Sequence, residues 1–245
     1  MDRAIYTALS AANAALNRQA VTSNNMANSA TAGFRAQLAA FRAVPVEGQT
    51  LKTRALVAES TPYNDDTMGP ITHTGRSLDV ALPQNGWLAV ALPDGSEGYT
   101  RNGGIEIDRD GALQVGGKPL MGDGAPLVVP PHSQITIAED GTVSALGAGD
   151  EPTAVVPVGR LKMVNAPMST LIHGDDGLFR PAAGNALPQD DAMRLSPESL
   201  EGSNVSPVKA MTEMIATARS FEMNMKVIRT ADENAQKANQ LLSVS

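Results

Sequence analysis

The sequence predicts an α+β chain, with a long helix at each end and a central, mostly antiparallel β region. Three observations carry this reading. All 22 Gly fall between Gly33 and Gly202, and all 16 Pro fall between Pro45 and Pro207, so residues 1–32 and 208–245 hold neither of the strong helix breakers. Apolar residues at both ends recur at steps of three and four. Between them, short apolar runs alternate with Asn-Gly and Asp-Gly pairs of the kind that turn hairpins.

At the N-terminus, Ile5, Leu9, Ala12 and Leu16 form one helical stripe. The stripe fades into Val21-Thr22-Ser23-Asn24-Asn25-Met26-Ala27-Asn28, and Gly33 is a natural stop, giving a helix over 1–32. Residues 35–75 show no strong period. Pro45, Gly48, Pro62, Gly69 and Pro70 make them an extended connector with room for one hairpin. Residues 76–204 read as the β region. Its turn signals are Asn85-Gly86, Asp94-Gly95, Asp110-Gly111, Gly116-Gly117 and Asp140-Gly141. Its strand candidates are Trp87–Leu92, Ile105–Ile107, Leu127–Val129, Ile135–Ile137 and Val158–Val164, a spacing that suits a sandwich or open barrel. Residues 174–197 are a polar, breaker-rich excursion.

Over 205–245 the stripe is Met211, Met214, Ala218, Phe221, Met225, Ile228, Ala235 and Leu242, of heptad type and interrupted at Asp232 and Asn239. Ser206 is placed to cap this helix and Pro207 to open it. A helix over 208–245 is about 57 Å long, more than a small domain can cover. Two readings stay open: the end helices pair within one subunit, or they pack against other copies.

Charge excludes several functions. The net charge is −7, and a phosphate-binding surface needs to be basic. The excess acid lies in residues 55–200, while 1–54 are net basic and 201–245 balanced. No run approaches the roughly 20 apolar residues of a membrane span, and Met1-Asp2-Arg3 leads straight into an alanine-rich amphipathic stretch rather than a cleavable signal. The absence of Cys removes disulfides, thiolate nucleophiles and zinc–thiolate sites.

Each candidate for catalysis is weak. His73, His132 and His173 stand far apart among turn residues and read as surface histidines. Asp108-Arg109-Asp110-Gly111 opens like a calcium loop, but Pro119 occupies the twelfth position where a ligating Glu belongs. Asp65-Asp66, Asp175-Asp176 and Asp190-Asp191 are adjacent acids, whereas a glycosidase pair must flank a bond several Å wide. Asn102-Gly103-Gly104 is too short for a dinucleotide fingerprint. No catalytic, cofactor-binding or metal-ligating residue is assigned. Met211, Met214, Met223 and Met225 suit core packing, and equally a helix that meets several unlike neighbours.

Three sets of residues resemble a known family. Asn24-Asn25-Met26-Ala27-Asn28-Ser29-Ala30-Thr31-Ala32-Gly33-Phe34-Arg35 is similar to the N-N-L-A-N-x-x-T-x-G-F-K signature of flagellar rod, hook and hook-associated axial proteins. Leu78-Asp79-Val80-Ala81, Tyr99-Thr100-Arg101-Asn102-Gly103 and Asp110-Gly111-Ala112-Leu113 resemble motifs of that family's central region, and Gly86-Trp87-Leu88 departs from its G-F-F. Leu200-Glu201-Gly202-Ser203-Asn204-Val205, Met211-Thr212-Glu213-Met214-Ile215 and Arg219-Ser220-Phe221-Glu222 resemble its C-terminal box. The opening Met1–Ala8 and the chain length resemble a proximal-rod component more than a distal-rod or hook-type paralogue.

The resemblance implies a structural subunit that is not an enzyme and has no cofactor. It implies export in unfolded form through the flagellar type III apparatus, without a cleaved signal, and assembly in the periplasm into the hollow rod. Its partners would be proximal and distal rod proteins, copies of itself and the export apparatus, with neither nucleic acid nor stable membrane insertion. The two end helices would form the coiled-coil-like D0 domain, 33–75 the linker and 76–204 the β-rich D1 domain. Assembly contacts would fall on Ile5, Leu9, Leu16, Asn24, Asn25, Asn28, Gly33, Phe34, Asn204, Met211, Met214, Ile215, Phe221, Met225, Ile228 and Leu242. The Asn cluster either holds register across a helix end or caps locally. The end helices are expected to order on assembly, each stripe having little to bury in one subunit. The competing classes are a periplasmic peptidoglycan hydrolase, which would need separated acids in a cleft, and a peripheral membrane or adhesin module, which would want a lysine-rich polar helix face.

Overall fold

A computed structural model describes residues 2–45, 55–131, 133–147, 155–174 and 176–243. His132 and Asp175 lie outside them, and the surroundings of Leu242 are not described. The chain divides into two units. The first comprises 1–29, 36–65 and 205–245, and the second 30–35 and 66–204.

The first unit is built from helix α1 (Asp2–Ala27), strands β1 (Gln37–Pro45) and β2 (Ala55–Asn64), and helix α2 (Pro207–Ser243). As expected, Ser206 stands at the N-cap of α2, its carbonyl accepting the Ala210 N–H at 3.0 Å, and Pro207 opens the helix. Helix α1 stops at Ala27, short of residue 32. The Asn28 N–H bonds the Asn24 carbonyl, and the Ser29 N–H and hydroxyl both reach the Met26 carbonyl. Gly33 lies beyond this turn with φ +68°.

The two helices pack on each other along a seam of small side chains. On α1 the buried positions are Ala8, Ala12, Ala15 and Thr22. On α2 they are Ala210 and Thr217, continued by the half-buried Met214, Phe221 and Ile228. The heptad spacing holds, but the seam is rotated from the expected stripes. Met214, Phe221, Ile228 and Ala235 turn inward, while Met211, Ala218 and Met225 are exposed; on α1, Leu9 and Leu16 are exposed. On α1 two apolar rows one residue apart, Ala8 with Ala15 and Leu9 with Leu16, satisfy the same period, and on α2 Ala210 and Thr217 take the seam in place of Met211 and Ala218. The row of small residues wins the seam because it lets the backbones approach closely.

In the 33–75 segment, β1 and β2 pair antiparallel from Gln37↔Asn64 to Pro45↔Ala55, with a bulge between Leu38 and Ala40. Helix α1 holds this hairpin at three points. The Ser10 hydroxyl donates to the Val57 carbonyl at 3.1 Å and accepts its N–H at 3.0 Å. The Arg18 guanidinium lies 5.0 Å over the Phe41 ring. The Asn25 side chain exchanges two 2.8 Å hydrogen bonds with the backbone of Gln37.

The second unit is antiparallel β. Its largest sheet runs in the order Met163–Asn165, Gly86–Ala91, Glu97–Thr100, Phe179–Pro181, Leu171–His173. The strand Gly86–Ala91 is covered on both faces. Leu88 and Val90 join the main core, whereas Trp87 and Ala89 pack with Tyr99, Val164 and Phe179 on the other side. That double burial explains a continuous apolar run where a half-exposed strand would alternate. Two expected strands differ. Leu127–Val129 makes only scattered bonds and one bridge, Ala112↔Val128, since Pro126, Pro130 and Pro131 deny it a ladder. The run 158–164 is split between Val156–Arg160 and Met163–Asn165, which belong to different sheets.

Candidate functional site: an exposed assembly face and a buried ion-pair knot

In the first unit, apolar side chains that the helix pair does not use line the helix surfaces. Tyr6, Leu9 and Leu16 are 62%, 46% and 51% exposed on α1. On α2, Val208, Met211 and Ile215 follow one another at helical spacing, with Met211 and Ile215 51% and 56% exposed, and Met225 is exposed further along. Beside them, the helices and the hairpin frame an open groove of about 710 Å³. Its walls carry Ala11, Ala14 and Ala15 of α1, Ala216 and Ser220 of α2, and Phe41 of β1. Thus bulky apolar side chains stand exposed on the helices of this unit, and a groove opens between helices and hairpin whose walls mix small side chains with Phe41, Arg18, Arg42 and Glu213. Of the remaining expected contact residues, Ile5 is half-buried on α1, Asn25 pins the hairpin, and the Asn28 amide bonds the Asn24 carbonyl at 3.0 Å as a local cap.

In the second unit, three quoted motifs converge on one carboxylate. Glu201, 1% exposed, accepts from Arg35 Nη1 at 2.6 Å through Oε1, and from Arg101 Nη2 at 2.6 Å and Nε at 3.0 Å through Oε2. Both arginines are 2% exposed. The Gly69 N–H also donates to Oε1 at 3.0 Å. Arg101 further donates to the carbonyls of Leu82, Pro83, Gln84 and Gly86, and its guanidinium lies 5.6 Å from the Trp87 ring. Arg35 also donates to the Thr67 carbonyl at 2.6 Å. Burial pushes the Arg101 guanidinium below its ordinary range; Glu201 opposes this, and the charge of Arg35 adds to it.

Backbone bonds tie the same segments together. The Gly33 N–H reaches the Glu201 carbonyl at 2.8 Å, the Asn204 N–H reaches the Phe34 carbonyl at 3.3 Å, and the Asn204 amide reaches the Thr67 carbonyl at 3.0 Å. Sequence reading missed the knot. Arg35, Arg101 and Glu201 were visible only as members of motifs; the available signal was that each sits within two residues of a glycine, where backbones can approach closely.

Little here suggests catalysis. His73 is exposed, 3.9 Å from Glu198, and His173 packs edge-on against Phe179. Among the described residues no group of three His, Asp or Glu side chains is placed to hold a metal ion, and no helix is long and apolar enough to cross a membrane.

The first unit thus carries end helices with exposed apolar side chains, and the β unit is closed by motifs from three distant segments. Residues 5–35 match the family described as "Flagella basal body rod protein", 81–145 the "Flagellar hook protein FlgE/F/G D1 domain", and 196–241 the "Flagellar basal body rod FlgEFG protein C-terminal". The chain is similar to the flagellar basal-body rod protein FlgF of Salmonella typhimurium and to that of Escherichia coli K12. Each is 56% identical, with all of both chains covered. It is also 33% identical to the rod protein FlgG of Agrobacterium fabrum, over 95% of this chain and 97% of that one. The chain belongs to the FlgF family of flagellar basal-body rod proteins.

Proposed function

We infer that the chain is a structural subunit of the flagellar basal-body rod, acting through packing rather than turnover. The carrying observation is the mismatch of faces in the first unit. Exposed Leu16, Met211 and Ile215 are knobs, and the groove between helices and hairpin, with Ala11, Ala14, Ala15 and Ala216 among its lining residues and Arg18, Arg42 and Glu213 beside them, is a hollow. A knob on one subunit set into the hollow of the next is a heterologous contact, and repeating it builds an open helical array wherever the rotation does not close into a ring. The neighbours that fit are rod proteins with helical ends of the same kind, proximal or distal, and further copies of this chain. The proximal rod, assembled in the periplasm from subunits delivered unfolded by the flagellar export apparatus, is the reading closest to the FlgF relatives.

The test is a double substitution on exposed faces, Leu16→Ser with Met211→Ser. The purified variant is expected to keep the stability of the parent, because neither side chain is buried. In cells it should be lost from isolated basal bodies, with motility lost too. A variant that enters basal bodies at the parental level overturns the assignment of these faces.

A further inference from the structure

The buried knot joins two cations to one anion, and the anion arrives last along the chain. Arg35 and Arg101 precede Glu201 by 166 and 100 residues, and all three are at least 98% buried. Without Glu201, two buried guanidinium groups would be left side by side among backbone carbonyls with no counter-charge, a far costlier arrangement than either one paired. Arg101 cannot simply leave, because its guanidinium satisfies four backbone carbonyls between Leu82 and Gly86 and covers the Trp87 ring. Arg35 is tied to Thr67, at the start of the segment that pairs with 199–201.

We propose that Glu201 is a charge-closing latch. The β unit reaches its closed state only when the segment 199–204 docks, so a chain broken off before residue 201 cannot present a folded β unit. The functional consequence is a check on completeness. Residue 201 lies six residues before the start of α2 at Pro207, so a chain that ends before 201 lacks that helix and would have its β unit open as well, leaving it to proteolysis rather than incorporation.

The latch differs from an ordinary buried contact in the sign of its coupling. In the full-length protein, Glu201→Gln keeps the shape and removes the charge. It is expected to lower the folding equilibrium constant of the β unit by about 100-fold or more, read in urea from Trp87 fluorescence. Arg35→Met removes one of the two cations. Added to Glu201→Gln, it is expected to restore stability about tenfold relative to Glu201→Gln alone, although it is itself a lost contact. A double variant less stable than Glu201→Gln overturns the proposal, because two independent contacts would lose stability together. The second measurement follows nascent chains stalled on the ribosome. With all 245 residues emerged, the β unit should resist a brief protease pulse; with only residues up to 198 emerged, it should be cleaved. Equal resistance in the two cases overturns the latch.

Discussion

A β-carbon on Gly33 would stand 2.4 Å from both the carbonyl carbon and the oxygen of Arg101, in a residue whose φ of +68° already disfavours any side chain. Backbone blocks the space, so no rotamer change relieves the clash. Gly33→Val is therefore expected to destabilise the β unit by about 3 kcal/mol or more, measured as a urea midpoint from Trp87 fluorescence. An unchanged midpoint would mean that the 30–35 segment does not close against Arg101. The need for glycine at 33 was legible in the sequence, but its reason was not. The sequence offered the end of a helix; the structure offers a backbone contact with a residue 68 positions away. Asn25 shows the same limit. Its type announced a hydrogen-bonding role, yet only the fold reveals that its partner is the backbone of Gln37.

At the scale of elements, the period of each helix was legible and its rotation was not. Spacing fixes a stripe to within one residue, and on α1 two rows at that separation, Ala8 with Ala15 and Leu9 with Leu16, carry apolar side chains. Which row faces the partner helix depends on how closely the two backbones pack. The Ala8, Ala12 and Ala15 row on α1 settles that in favour of small residues. A bulky side chain in this seam should force the helices apart. Ala12→Leu is expected to cost the helix pair about 1–3 kcal/mol, seen as a lower midpoint of the 222 nm circular dichroism signal on heating. Placing the same leucine at Ala20, which is exposed, should leave that midpoint unchanged. If Ala12→Leu also leaves it unchanged, the seam is not close-packed. Among the strands, the hairpin turns were legible from Asp-Gly and Gly-Gly pairs. The pairing order of the largest sheet was not, because Phe179–Pro181 sits beside Glu97–Thr100 across 78 intervening residues with no local signal.

For the molecule as a whole, the two units hold their structure by different means. The β unit has a continuous core from Val80 to Leu195 and the buried knot. The first unit buries mainly alanine and leaves much of its larger apolar surface exposed. Burial at about 25 cal/mol per Å² favours the unit that removes the larger side chains from water. Increasing urea is expected to abolish the helical 222 nm signal before Trp87, the sole tryptophan, reports unfolding of the β unit. Coincident transitions would show that the chain unfolds as one body. The acidic excess of 55–200 gives the β unit a net negative charge while the helical ends remain near neutral or basic, an arrangement that keeps free subunits soluble without placing like charge on the proposed contact faces.

Knobs on some faces and a hollow on another also bear on length. A self-complementary patch is used up when two copies meet, but in the proposed packing every subunit added would restore the surface it covered. Such a contact carries no arithmetic by which a growing column could count its own members. On the proposed packing, the number of copies would be decided where the sequence changes, at a neighbour whose hollow accepts this chain's knobs or whose knobs refuse its hollow.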